Sequence, residues 1–334
     1  MTISTFMKRL GAAVVVGHAA LITGLHFYKK RRRTDSQSMF QKRTEEDKLL
    51  SWLSQRKGVY LVKDIAANVD KLDKHIVRDD DVYVVSYPKS GTTWLSEIVY
   101  NIVHGLNFTE AQSLPLDERV PYLEWVHTDS STLAAMSPSY PRVIKSHLPL
   151  SLIPPKIRNR KCKIIYIMRN PRDVCVSYYY FTKMIQLVGY KGHFADFFQL
   201  FLQGQVSYGS WCSHVKEFWE ARSEANVLFL TYEQLSKNPQ KMIEIIGEFL
   251  EKSLSPEQVN ALMKYCSFDQ MQSNPASNYS WLRESGFTQG GPFLRKGVVG
   301  DWREHFNSEM IASLDTQVNI HLSDSSLRSI IEYI

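Results

Sequence analysis

The chain has 334 residues, 44% hydrophobic and 22% charged, which is the composition of one large α/β domain, alone or with appendages. The net charge of +6 is concentrated in Lys29-Lys30-Arg31-Arg32-Arg33 and the rest is close to neutral, which argues against wholesale nucleic-acid binding and for one local anionic ligand. Cys162, Cys175, Cys212 and Cys266 form no CxxC pair and no metal cluster is visible, so they read as reduced core cysteines.

Residues 10–28, LGAAVVVGHAALITGLHFY, hold no charged side chain other than His18 and His26 and fall within the ~17–25 residues that span a bilayer. Lys8 and Arg9 precede this run and five basic residues follow it, so a membrane anchor is expected with the folded domain facing the cytoplasm. No acidic residue precedes Asp35, which equally fits a mitochondrial address. Residues 29–48 are charged and poor in large apolar groups and read as a linker. LDKHIVRDDD, 72–81, reads as a charged surface approach to the first strand.

VYVVSYPKSGTTWLSEIVYNIVH, 82–104, is the central stretch. Val82, Val84 and Val85 with Tyr83 read as a parallel strand buried on both faces. Pro88 and Gly91 turn the chain, and Trp94, Leu95, Ile98, Ile102 and Val103 recur at helical spacing, so a helix starts at Thr92 or Thr93. The helix amides, the hydroxyls of Ser90, Thr92 and Thr93 and the Lys89 ammonium converge on one small volume suited to an oxyanion. Lys89 precedes the only glycine, unlike the nucleoside-triphosphate signature, which disfavours a nucleotide kinase and points to a P-loop relative.

Residues 114–125 and 130–141 read as long loops of the kind that line binding sites. RVIKSHLPL, 142–150, reads as a strand whose Lys145 and His147 share one side. KIIYIM, 163–168, is a second buried strand leading into Arg169, with Pro171 opening a helix that carries Ser177 on the Arg169 side. An ion pair with Asp173 is the other reading of Arg169. Residues 193–205 and 210–222 read as amphipathic helices with aromatic stripes, 227–235 as a third buried strand reaching Tyr232, and Ser255-Pro256 as a helix start. From Ser267 to Asp301 regularity is lost, and Arg295-Lys296-Gly297 form a cationic element able to close over an anion. The alternation of strands and helices predicts an α/β single domain, a central parallel β-sheet flanked by helices, with ligands at the carboxyl ends of the strands.

Three elements occur together: YPKSGTTW at 87–94, RNPRDVCVSYYYF at 169–181 and RKGVVGDW at 295–302. With KSHLP at 145–149 and Tyr232 in order between them, they resemble the cytosolic sulfotransferase family over roughly residues 50–334. The resemblance implies the P-loop-like architecture of that family and of nucleotide kinases, with 1–33 an anchor or targeting segment, 34–48 a linker and 49–334 the sulfotransferase domain. It implies 3′-phosphoadenylyl sulfate (PAPS) as sulfuryl donor, with no metal, and a small apolar hydroxyl or amine acceptor such as a phenol or steroid. Lys89, Ser90, Gly91, Thr92 and Thr93 inherit the grip on the 5′-phosphosulfate, with Trp94 beside the adenine. Arg169, Ser177, Arg295, Lys296 and Gly297 match the 3′-phosphate site, Tyr232 an adenine contact and Phe268 the ring stacked on the base. His147 takes the catalytic base position with Lys145 near the sulfuryl group, and Tyr122, Trp125, Tyr180 and Phe181 fall on the acceptor wall. A neutral imidazole of pKa near ~6.5 suits proton removal from a hydroxyl.

Two positions depart from the family. Cys266 stands where a nucleotide-touching Thr is usual, with Ser267 beside it, and the dimer motif KxxxTVxxxE is replaced over Arg303–Ala312, with Asn307-Ser308 in place of TV. The family dimer is therefore not implied. A catalytically inactive binder of nucleotide or lipid-like ligand is the competing reading, and His147 weighs against it.

Overall fold

In the computed structural model the described residues are 44–125, 140–159, 162–186, 188–322 and 324–333. The chain divides into Met1–Thr44 and Glu45–Ile334, and the fold is that of the second unit. It opens with a short helix, Glu45–Leu50, which overlaps the end of the stretch whose composition suggested a linker. The hairpin β1 (Leu53–Arg56) and β2 (Val59–Val62) follows.

Four further strands, β3 (Val82–Val85), β4 (Val143–Ser146), β5 (Lys163–Met168) and β6 (Val227–Thr231), form a parallel sheet in the order β4-β3-β5-β6. Alternate side chains of its strands enter two separate cores. Tyr83, Val85, Ile164, Tyr166 and Met168 join one, and Val82, Val84, Ile165 and Ile167 join the other. This two-sided burial explains the unbroken apolar runs of β3 and β5, because a strand covered on both faces has no solvent side to mark with polar residues. Helix α1 (Thr92–Val103) packs on the second face, and α2 (Pro171–Met184) with the helices Phe194–Leu202 and Trp211–Glu220 on the first. The sheet therefore has helices on both sides, as βα alternation requires. Strand β3 is the switch point: the chain leaves it for β4 on one side, then crosses to β5 on the other. The carboxyl ends of β3, β4 and β5 meet there, where ligands of such sheets bind.

Three local expectations change. The third strand ends at Thr231, and Tyr232 opens a helix, α3 (Tyr232–Lys237). The Thr231 hydroxyl accepts from Gln234 N at 3.1 Å and the Gln234 amide oxygen accepts from Thr231 N at 3.2 Å, a capping box that outweighs the β-propensity of the apolar run. The segment 267–301 contains two short helices, Phe268–Ser273 and Ser280–Glu284. The approach to β3 is not all surface. Asp81 is fully buried against the Arg142 guanidinium at 2.6 Å. Helix α4 (Pro256–Tyr265) starts as the sequence indicates, with Ser255 accepting from Gln258 N. All four cysteines are buried thiols outside any disulfide.

The expected anchor, 10–28, and the basic cluster after it lie outside the described residues. Among the described residues no helix is long and apolar enough to cross a membrane.

Candidate active site

The loop after β3 fixes the site. Lys89 takes a left-handed backbone at φ 71° and Gly91 at φ 99°, the first a conformation that costs a non-glycine residue energy and concentrates at functional loops. A Cβ on Gly91 would meet the Tyr232 ring at 2.6 Å, so only glycine lets the loop close onto α3. No side chain caps α1, and its amino end faces this loop as an unneutralised positive dipole. The Ser90 hydroxyl is buried without a hydrogen-bond partner, as is the Nε of Arg169. Unpaired buried donors of this kind are costly unless a ligand completes them.

Arg169, at the end of β5, gathers the surrounding elements. Its Nη1 donates to the Lys89 carbonyl at 3.3 Å and its Nη2 to the Val298 carbonyl at 2.9 Å. Its guanidinium lies 4.4 Å over the Tyr232 ring, which meets Trp94 edge-on at 5.5 Å. The Asp173 carboxylate stands 3.9 Å away and accepts from Gly300 N at 2.7 Å and Trp302 N at 3.0 Å. Asp173 thus pins the 295–302 segment to the start of α2. Gly297, at φ 67°, abuts Phe268 so closely that a Cβ would sit 2.2 Å from its ring. Arg295 and Lys296 both pair with Asp301, and Arg295 also covers the Tyr180 ring at 4.6 Å. Ser177 is half-buried two turns along α2, and Thr93 is half-buried in the first turn of α1.

A second cluster forms at the end of β4. His147 lies just past the strand, its Nδ1 donating to the Ser86 carbonyl at 2.8 Å, which leaves Nε2 as the nitrogen with a free lone pair. Its ring meets Tyr122 and Tyr208 edge-on at 5.3 and 5.5 Å. Burial holds its pKa down at about 3, so the imidazole is neutral at physiological pH. Lys145 donates to the Tyr279 hydroxyl at 2.6 Å and lies 5.4 Å over Tyr122. Residues 121–123 run alongside β4, with Leu123 N donating to the Lys145 carbonyl at 2.8 Å; this pairing seats Tyr122 beside both candidates, with Trp125 stacked on it.

The two clusters are continuous. Lys89 Nζ sits between the Phe181 and Phe293 rings, 4.4 Å from each centre. Phe293 packs on Tyr279 at 4.7 Å, and Tyr279 holds Lys145. The Ser86 hydroxyl bonds with Thr92 Oγ1, while its carbonyl holds His147. Burial, then the charges of Arg169 and Arg295, push Lys89 down to about 7. Phe181, assigned to the acceptor wall, is thus in contact with the loop lysine.

Sequence reasoning did not find Ser86, Glu124, Tyr208, Tyr279, Phe293 or Asp301, and it named Asp173 only as an ion-pair partner of Arg169, which stands 3.9 Å from it. Glu124 left a usable signal, being an acid amid apolar residues with no solvent-side pattern to account for it. The aromatic partners left none, since any of them fits a core equally well. Cys266 is buried in the second core, and burial pushes its thiol well above the ordinary cysteine value.

A loop of unpaired donors at a sheet switch point, two nearby arginines and a neutral histidine within one continuous surface are the parts that a group transferase acting on an anionic donor would need. The model of the sulfotransferase domain matches residues 79–326. The chain is 43% identical to a 3-beta-hydroxysteroid sulfotransferase of Cavia porcellus over 73% of this chain and 84% of that one, and 36% identical to Sulfotransferase 1E1 of Mus musculus over 81% and 93%. Retinol dehydratase, crystallised with androsterone and inactive cofactor PAP, aligns over 84% of this chain and 94% of that one, at 31% identity and a TM-score of 0.76. The chain belongs to the sulfotransferase family, and it is an enzyme of that class.

The membrane-anchored placement is corrected. The Mus musculus relative is matched over 93% of its length by 81% of this chain, so the family likeness is complete without an anchor, and no membrane-crossing helix occurs among the described residues.

Proposed function

We propose that the protein transfers a sulfuryl group from PAPS to the hydroxyl, or amine, of a small apolar acceptor such as a phenol or steroid. One observation carries this reading: Ser86 bonds to the start of the anion-binding helix through its hydroxyl and to the general-base candidate through its carbonyl. Donor loop and base are held in one register, as in-line transfer needs.

The residues fit the donor. The orphaned Ser90 hydroxyl and Arg169 Nε supply unused bonds, and the missing side chains at Gly91 and Gly297 let Tyr232 and Phe268 pack against the two loops. Lys89, Ser90, Gly91, Thr92 and Thr93 would hold its 5′ end in a P-loop-like cradle. Arg169, Ser177, Arg295, Lys296 and Gly297 would hold the 3′-phosphate, and Trp94, Tyr232 and Phe268 the base. When bound, PAPS supplies an electrophilic sulfur with a phosphate leaving group. His147 Nε2 takes the proton of the attacking hydroxyl, which its neutrality and lone pair permit. Lys89 and the α1 amides would stabilise the negative charge of the leaving oxygen, and Lys145 would stand on the acceptor side. Tyr122, Trp125 and Phe181 offer flat apolar walls, which accords with the androsterone and retinol named in the related complexes. Residues 49–334 constitute the catalytic domain in this reading.

The test is sulfate transfer by the full chain from labelled PAPS to a panel of phenols, steroids and amines. Turnover by wild type and its loss in His147→Ala are expected. Nucleotide binding with equal inertness of both proteins would favour the inactive-binder reading.

A further inference from the structure

Glu124 is a fully buried carboxylate one residue from the acceptor-wall Trp125. Its Oε1 accepts from the main-chain N–H of His147 at 2.6 Å and its Oε2 from the Ser146 hydroxyl at 2.9 Å. The Tyr208 hydroxyl, hydrogen-bonded to that of Tyr122, acts on the same carboxylate and favours its ionised form. The hydroxyl chain Tyr122 to Tyr208 to Glu124 therefore starts on the ring that flanks both Lys145 and His147. The remaining groups around it are His214, whose Nε2 donates to the His147 carbonyl at 3.0 Å, and Lys145, held by Tyr279. Of the groups on Glu124 the His147 amide can only donate, and an ionised carboxylate accepts from it and from the neighbouring hydroxyls at once, whereas a protonated one obliges a hydroxyl to reverse.

We propose that Glu124 is a positioning residue for sulfuryl transfer, its carboxylate fixing the His147 main chain and the Tyr208–Tyr122 hydroxyl pair at the acceptor side. This rests on the reading of His147 as the base. With Nδ1 tied to Ser86 and the main chain tied to Glu124, Nε2 has one orientation. Protonating Glu124 turns an acceptor oxygen into a donor, so the Ser146 or Tyr208 hydroxyl must reverse, which loosens that orientation. Burial raises its pKa to about 7, against the hydrogen bonds that lower it. His147, held near 3, is neutral throughout that range, and Lys89, at about 7 without ligand, belongs to the donor loop and regains its charge beside a bound anion, so a rise of kcat through neutral pH is assigned to Glu124 by its loss in Glu124→Gln.

The experiment is kcat against pH from 6 to 8.5 for wild type, Glu124→Gln, Glu124→Asp, Tyr208→Phe and His147→Ala, with thermal melting and binding of 3′-phosphoadenosine 5′-phosphate measured alongside. Wild-type kcat should rise through a midpoint near 7. Glu124→Gln should bind the nucleotide within about twofold yet lose about tenfold or more in kcat and show no such rise. Glu124→Asp should regain it. Tyr208→Phe removes a bond to the ionised form and should move the midpoint to higher pH. A folded Glu124→Gln with wild-type kcat and pH profile, or a flat profile in Glu124→Asp, overturns the proposal. If Glu124→Gln does not fold, an unmoved midpoint in Tyr208→Phe overturns it. Full activity in His147→Ala removes the base assignment itself, whereas an inactive His147→Ala beside an unaffected Glu124→Gln defeats the positioning role alone.

Discussion

Lys89 holds an ammonium between two aromatic faces while burial and two guanidinium groups oppose its charge. The rings favour the cation, but desolvation wins and places the group at about 7. Its folded value lies below the ordinary lysine value, so without ligand the stability of the protein rises with pH between about 7 and that ordinary value, as the unfolded chain holds the proton longer. An anion brought beside Lys89 restores the charge. Binding of 3′-phosphoadenosine 5′-phosphate near pH 7.5 should therefore take up part of a proton, seen in calorimetry as a binding enthalpy that changes with the buffer's ionisation enthalpy. Lys89→Met should abolish that dependence and lower kcat by about 10²–10³-fold. Uptake unchanged in the variant would place the proton elsewhere.

At the scale of elements, two junctions decide where the nucleotide's surroundings lie. The capping box of Thr231 and Gln234 ends β6 and turns Tyr232 toward Gly91. Thr231→Ala should cost about 1 kcal/mol in a urea titration, with weaker nucleotide binding because the Tyr232 ring is no longer held. The contact of Gly297 with Phe268 joins the 295–302 segment to the short helix Phe268–Ser273. Gly297→Ala adds a Cβ at 2.2 Å from that ring on a left-handed backbone, so the segment must shift. Nucleotide affinity measured by equilibrium binding should fall by about tenfold, or about 1.4 kcal/mol, with little change in melting temperature, since Gly297 lies outside both cores. The helices Pro239–Phe249 and Pro256–Tyr265, by contrast, start at Asn-Pro and Ser-Pro pairs whose caps are local and readable without the fold.

Across the whole molecule, stability and chemistry sit at opposite ends of the sheet. At the amino ends of β3 and β4, Arg142 and Asp81 form a buried pair, bonded at 2.7 and 2.6 Å, with Tyr83 and His75 beside it. Removing one partner strands a buried charge. Arg142→Ala should lose about 3–5 kcal/mol in chemical denaturation, while the folded fraction keeps its kcat and nucleotide affinity, because the carboxyl-end clusters do not touch this pair. A matching loss of kcat per folded molecule would show that the two ends are coupled. The parallel sheet, its two-sided cover and the order of its strand-helix units were legible in VYVV and KIIYIM, short β-branched runs with no polar face, which a strand buried on both sides requires. The end of β6 at Thr231 was not, because a capping box and a strand both tolerate VLFLTY.

The anion loop at 87–93, the helix starts at Thr92, Pro171 and Pro256, and the family could all be read along the chain, since they depend on residues adjacent in it: a glycine where φ must be positive, a proline at a first turn, a periodicity. The groups that complete the site could not, because the fold brings them together from far apart. Glu124 reaches His147 across 23 positions, Tyr208 reaches Tyr122 across 86, and Lys145 reaches Tyr279 across 134. Whether such a side chain is a solvated charge, a core ring or the support of a reacting group depends on which strand end it is carried to, and that is fixed by the order in which the sheet assembles.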